Sequence, residues 1–199
     1  MDIYRRRLQV KQYALRHGLF FNDLFFDILE HTRVLSYNPF DSIGFPHDNE
    51  CLYFLNNGLV MATLETNPDS DWHRIIYEPS PFGDISSYFL LDSNKLSWYA
   101  ISQVSLLAIP LKKLMGFFEG FPLEESLLKS HLIRLEMERI TLINRLSKMN
   151  TKEKIGFLEL NYPDLIIRTK STFLAKYLGV SRSILSKTIK QKSFRPDNK

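Results

Sequence analysis

The sequence is short of the groups that most often carry catalysis or anchor a chain to a membrane. It holds one cysteine, Cys51, among 199 residues. That excludes an internal disulfide and a multi-thiolate metal cluster, and points to a reducing cytoplasm. No apolar run reaches the roughly 18 residues of a membrane span. Arg5-Arg6-Arg7 has no apolar segment behind it, so neither a span nor an export signal is expected. Low-complexity tracts are missing as well. Asp84, His73 and Ser86 are the nearest approach to a catalytic group, and no spacing ties them to nucleophilic or metal chemistry. The expectation is a protein that is not an enzyme and has no resident metal or cofactor.

Charge, in contrast, is present and unevenly spread. Residues 151–199 carry 11 Lys/Arg against 4 Asp/Glu, a balance of +7, while residues 1–150 carry 15 against 18, a balance of −3. A small basic segment on a slightly acidic body suggests that only the C-terminal part meets a polyanion.

The first thirty residues read as helical, with Leu8, Tyr13 and Leu15, then Leu24, Phe25, Ile28 and Leu29, at helical separations and His17-Gly18 as a stop between them. From Thr32 to about Pro110 the texture becomes that of strands: Cys51–Leu55, Leu59–Leu64, Arg74–Tyr77, Leu96–Ile101 and Val104–Ile109. Turn formers separate them, among them Asn67-Pro68-Asp69, Pro79-Ser80-Pro81 and Asp92-Ser93-Asn94. Short strands at this spacing predict a β-barrel or roll. Asn57-Gly58 is the strongest hairpin signal.

Pro110 suits the first turn of a helix, and from Pro122 to about Met149 neither Pro nor Gly recurs. Leu128, Leu132, Leu135, Leu142, Leu146 and Met149 make one apolar stripe on this long helix, interrupted at Arg139, and Ile133, Met137 and Ile140 a second. Two faces predict two neighbours, the β domain and a second copy of the chain. Thr151 is the expected N-cap of the next helix, which ends before Pro163. A boundary is expected near residue 150.

Residues 171–190 carry the sharpest pattern. Ala175 is small where two crossing helices approach, and Gly179, four positions on, can take the positive φ of a tight turn. Leu174, Leu178, Val180 and Leu185 fit the inside of such a crossing, and Ser181 can cap the second helix. Thr188 stands where an aliphatic residue is expected, with Ile189 beside it. The pattern predicts a helix-turn-helix that reads double-stranded DNA. Arg182, Ser183, Ser186 and Lys187, with Ser181, face base edges, while Lys170, Lys176, Lys190 and Lys192 suit phosphates. A module whose helix-turn-helix is vestigial, serving ligand sensing or protein binding, is the competing reading.

With these residues in view, the sequence resembles the Crp/Fnr family, the cyclic-AMP receptor protein-like regulators. The match Ala-Lys-Tyr-Leu-Gly-Val-Ser-Arg-Ser-Ile-Leu-Ser-Lys (175–187) is the most specific, joined by Cys51–Val60 and by Phe82-Gly83-Asp84. The resemblance implies an α+β chain: a cyclic-nucleotide-binding-like β-roll (residues 1–122), a dimerisation helix (123–149) and a helix-turn-helix domain (150–199). It also implies a homodimer, RNA polymerase as a further partner, and an effector pocket at Gly83, Asp84, Ile85, Ser86, Lys95, Leu96 and Ser97. The departures are informative. Where the family places an arginine–serine pair for the cyclic phosphate, this chain reads Asp92-Ser-Asn-Lys-Leu-Ser97, and Lys95 lacks the bidentate fork of arginine. An effector other than cyclic AMP, or none, is expected. The single cysteine excludes iron–sulfur sensing, and the scattered His17, His31, His47, His73 and His131 give no haem ligand pattern. Asp41-Ser-Ile-Gly-Phe-Pro46 departs from the family's early glycines. Ser193–Lys199 is too short for the family's wing hairpin.

Overall fold

The computed structural model describes residues 2–19, 27–44, 51–64, 74–77, 79–83 and 96–193. Helix α1 (Ile3–Arg16) starts where the Asp2 carboxylate accepts from the Arg5 backbone N–H at 2.8 Å, and stops at His17-Gly18 as its sequence predicts. Of the second expected helical stretch, Leu24 and Phe25 lie outside the described residues, and Leu29–His31 form a short 3-10 turn.

Among the described residues eight strands follow: β1 (Arg33–Tyr37), β2 (Ser42–Ile43), β3 (Cys51–Asn57), β4 (Leu59–Leu64), β5 (Arg74–Tyr77), β6 (Ser80–Phe82), β7 (Leu96–Ala100) and β8 (Val104–Pro110). They form two four-stranded sheets, β1-β8-β3-β6 and β2-β7-β4-β5, with every pair antiparallel. Between the sheets, Tyr53, Leu55, Val60, Ile76, Phe82, Trp98 and Leu106 make a continuous core. All five expected strands are present, while β1, β2 and β6 were not legible.

Two expectations need correction here. Asn57-Gly58 is not a hairpin turn, because β3 and β4 lie in different sheets. A register shift between Leu55 and Asn57 bends β3, and Gly58 (φ 111°) carries the chain across to the second sheet. A Cβ on Gly58 would sit 2.6 Å from the Gln103 carbonyl oxygen of the neighbouring β7–β8 corner. The short-range turn code is satisfied by a corner as well as by a hairpin. Pro79-Ser80-Pro81 is likewise not wholly a separator, since β6 begins at Ser80 and pairs with β3. Among the described residues β6 is the edge strand of its sheet, a place where proline is tolerated.

Pro110 closes β8 and caps α2 (Leu111–Phe118), one residue before the helix proper. The long helix α3 runs Pro122–Ser147, with Pro122 in its first turn. Asn150, and not Thr151, caps α4 (Thr151–Asn161). Its side-chain oxygen accepts from the Lys152 and Glu153 backbones, and Glu153 returns a bond from the Asn150 backbone. Asparagine with a glutamate three residues on makes a full capping box, which outcompetes threonine one position later. A further short helix, α5 (Pro163–Arg168), precedes α6 (Ser171–Leu178) and α7 (Arg182–Ser193).

The leucine stripe of α3 serves two cores. Leu128 and Leu132 pack with α1, α2, β3 and β8, whereas Leu146 packs with the C-terminal helices. That second core also takes in Leu59, Met61 and Ile75 of the β-roll, so roll and C-terminal helices share one apolar interior. Ile133, Met137 and Ile140 stay exposed at 45%, 58% and 43%.

Candidate nucleic-acid interface

The turn between α6 and α7 is built from four small features. Gly179 sits at φ 61°, ψ 41°, the left-handed region that a side chain reaches only at a cost. Its N–H donates to the Lys176 carbonyl and the Val180 N–H to that of Ala175, each at 3.0 Å, closing the end of α6. Ala175, Leu174, Leu178 and Leu185 are buried, and Val180 packs partly against them. The Ser181 hydroxyl accepts from the Ile184 backbone at 3.3 Å and capping by Ser181 is thereby realised.

Lys154 was missed as part of this site. It is buried, and its ammonium donates to the Leu178 carbonyl at 2.6 Å, fixing α4 against the end of α6. A cation there also opposes the negative end of the helix dipole. In the sequence it is one lysine of Lys152-Glu153-Lys154, with nothing to mark it as the buried one. Thr188, the odd residue of the pattern, bonds its own helix at the Ile184 carbonyl at 2.9 Å, while Ile189 supplies the apolar contact.

Crossing helices held this way leave the start of α7 bare. Ser181, Arg182, Ser183, Lys187 and Lys190 are exposed, and Ser186 is half-buried. The Ser181 and Ser183 hydroxyls lie 3.0 Å apart. Lys176 is exposed on α6. Lys170, also exposed, has its ammonium 4.0 Å above the Phe40 ring, and Phe40 stacks on Phe173 at 5.0 Å. A hydroxyl-and-cation row on one helix end can donate to guanine edges and to phosphates.

The pocket residues nominated by resemblance are only partly in view. Asp84, Ile85, Ser86 and Lys95 lie outside the described residues, as does His73. Leu96 is buried in the roll core and Ser97 half-buried. At Gly83 a Cβ would meet the Cys51 carbonyl oxygen at 3.2 Å, so close approach of β3 is reason enough for glycine. Phe82 lies 5.2 Å from Tyr53 and 5.0 Å from Trp98, ring to ring, and this aromatic trio fills the roll between the sheets.

A second polar cluster joins α1, α3 and β6. His131 is buried, with Arg134 2.9 Å from Nδ1 and the Tyr13 hydroxyl 2.9 Å from Nε2. Arginine only donates, so Nδ1 accepts and the ring proton resides on Nε2, pointing at Tyr13. Burial first, then His17, Arg134 and Arg139, hold His131 down to about 4. Burial pushes Tyr13 up to about 12, and it also hydrogen-bonds Ser80. Arg139, whose pKa burial lowers, donates to Glu136 at 2.6 Å, to the Ser80 hydroxyl at 3.1 Å and to the Pro81 carbonyl at 3.0 Å.

A β-roll, a long helix and a C-terminal helix-turn-helix follow one another along the chain, and solved structures share this fold. The chain is similar in structure to FixK2 from Bradyrhizobium japonicum, with a TM-score of 0.66 and 15% identity over 84% of this chain and 89% of that one. It is similar to the c-di-GMP-responsive global regulator CLP from Xanthomonas campestris, with a TM-score of 0.60 and 16% identity over 92% and 91%. A transcriptional regulator assigned to the Crp/Fnr family from Eubacterium rectale gives a TM-score of 0.65 and 12% identity, over 88% of each chain. No protein-family model and no curated protein matches the sequence. The likeness is one of fold, the α+β fold expected from the sequence. Among the described residues no helix is long and apolar enough to cross a membrane.

Proposed function

We propose that the chain is a sequence-specific, homodimeric DNA-binding transcription regulator of the Crp/Fnr type, working in the cytoplasm. Its parts are a sensor roll (1–122), a dimerisation helix (123–149) and a DNA-reading domain (150–199). The observation that carries the reading is the exposed, basic start of α7, seated by a turn packed on the buried Leu174, Ala175, Leu178 and Leu185. In it Arg182, Ser183 and Lys187 read bases from the major groove, with Ser181 and Ser186 beside them. Lys170, Lys176 and Lys190 hold phosphates. The exposed Ile133, Met137 and Ile140 favour a second copy along α3. Twofold pairing sets two recognition helices about 34 Å apart, one turn of the duplex. The aromatic filling of the roll and the lack of an arginine near Lys95 favour an effector other than cyclic AMP, or none. RNA polymerase is the further partner of this reading.

The test is selection of binding sites from a random duplex library, followed by anisotropy at fixed salt. Lys187→Ala is expected to weaken the selected site by about 1–3 kcal/mol and non-specific duplex by much less. Equal losses on both duplexes, or selection that enriches no sequence, would overturn base reading.

A further inference from the structure

A cavity of 280 Å³ opens where α1, the β5–β6 edge, α3 and the corner between α4 and α5 meet. Among the described residues nominated by resemblance, Gly83, Leu96 and Ser97 do not line it. Its size is near the lower end of the range for small-molecule sites, about 300–1,000 Å³. One wall is aromatic: Tyr77 and Tyr162 stack at 5.3 Å with planes 17° apart. Leu142 from α3 supplies an aliphatic wall, and Ser80 and Arg139 bring polar groups.

The charge around Arg139 is unbalanced. Glu136 is shared by two guanidinium groups, Arg139 at 2.6 Å and Arg74 at 3.1 Å. These side chains are only 12%, 18% and 14% exposed for Arg139, Arg74 and Glu136. The remaining bonds of Arg139 go to the neutral Ser80 hydroxyl and Pro81 carbonyl. Among the described residues, two cations and one carboxylate thus leave a positive charge in excess in a poorly hydrated place, which is unfavourable until an anion joins it. Glu138, the carboxylate that lines the cavity among the described residues, is exposed, where water and salt weaken its reach.

We propose that this cavity binds a small aromatic carboxylate, its ring between the tyrosine wall and Leu142 and its carboxylate toward Arg139. The ligand would touch the roll, the long helix and, through Tyr162, the DNA-reading helices at once. It would therefore favour one arrangement of the three over others. As a regulatory input the site rests on the proposed function; as a binding site it stands alone.

Calorimetry with benzoate and with benzamide, its neutral counterpart of the same shape, tests the site. Benzoate is expected to bind saturably with one site per chain, and benzamide at least about tenfold more weakly. Leu142→Trp, which fills the cavity from its edge, lowers benzoate affinity about tenfold or more, and Arg139→Gln removes the preference for benzoate. Equal affinity for the two compounds in the unmodified protein, or no saturable benzoate heat up to about 10 mM, overturns the proposal. So does unchanged benzoate binding by folded Leu142→Trp protein. The comparison in the unmodified protein decides even where a variant fails to fold. Anisotropy on the selected duplex, read in parallel, separates the two ideas. Benzoate binding without specific DNA binding sinks the regulator and keeps the site, and the reverse result does the opposite.

Discussion

Acidification should loosen this protein through a buried histidine, His131. Both ring nitrogens are engaged in the neutral form, Nδ1 accepting from Arg134 and Nε2 facing Tyr13. Protonation would place a donor against a guanidinium that has nothing to accept with, in a site 3% exposed. The folded-state pKa of about 4 lies below the ordinary 6.5. The unfolded chain therefore takes up the proton first, and stability falls as pH drops through that window. At about 1.4 kcal/mol per pH unit, the whole window amounts to about 3 kcal/mol. Between pH 7 and pH 5 the loss is about 2 kcal/mol. Urea unfolding followed by circular dichroism at the two pH values measures it, beside His131→Gln, which cannot titrate. The variant should be weaker at pH 7 yet lose about 2 kcal/mol less on going to pH 5. Identical pH dependence in the two proteins would refute the tautomer and the burial argument together.

Gly58→Ala should cost about 3–5 kcal/mol, combining backbone collision at Gln103 with an unfavourable φ. Gly179→Ala meets open space and should cost only about 1 kcal/mol, so thermal melts of the pair separate collision from conformation. Lys154→Met keeps the aliphatic stem and strands the Leu178 carbonyl, for a loss of about 1.5–3 kcal/mol in chemical unfolding. Retained stability there would mean that the bond is dispensable. Ile133→Glu with Met137→Glu should give monomers by light scattering without lowering the melting point of the protomer, since both positions are exposed; a persisting dimer would place the contact elsewhere.

What could be read in advance follows from how local each signal is. Gly179, Ala175 and Ser181 act within one turn of chain, so their spacing alone implied their geometry. The same holds for Pro122 at the start of α3 and for the strands rich in branched and aromatic residues. Gly58 misled because a positive φ serves a corner as well as a hairpin, and only the partner strand tells them apart. Arg139, an interruption in the leucine stripe, gains its meaning from Ser80 and Pro81, 59 and 58 residues away in sequence. Likewise Lys154 finds Leu178 across 24 residues. Long-range polar pairing leaves no periodicity to detect.

The apolar interior that Leu59, Met61 and Ile75 share with Ile155, Leu158 and Leu174 has a consequence for anyone wishing to re-engineer the molecule. C-terminal helices transplanted from another scaffold would have to reproduce the underside of these, or leave the outer face of the roll wet. Roll and C-terminal helices are therefore matched pieces, and exchange between scaffolds demands that the buried seam travel with the helices.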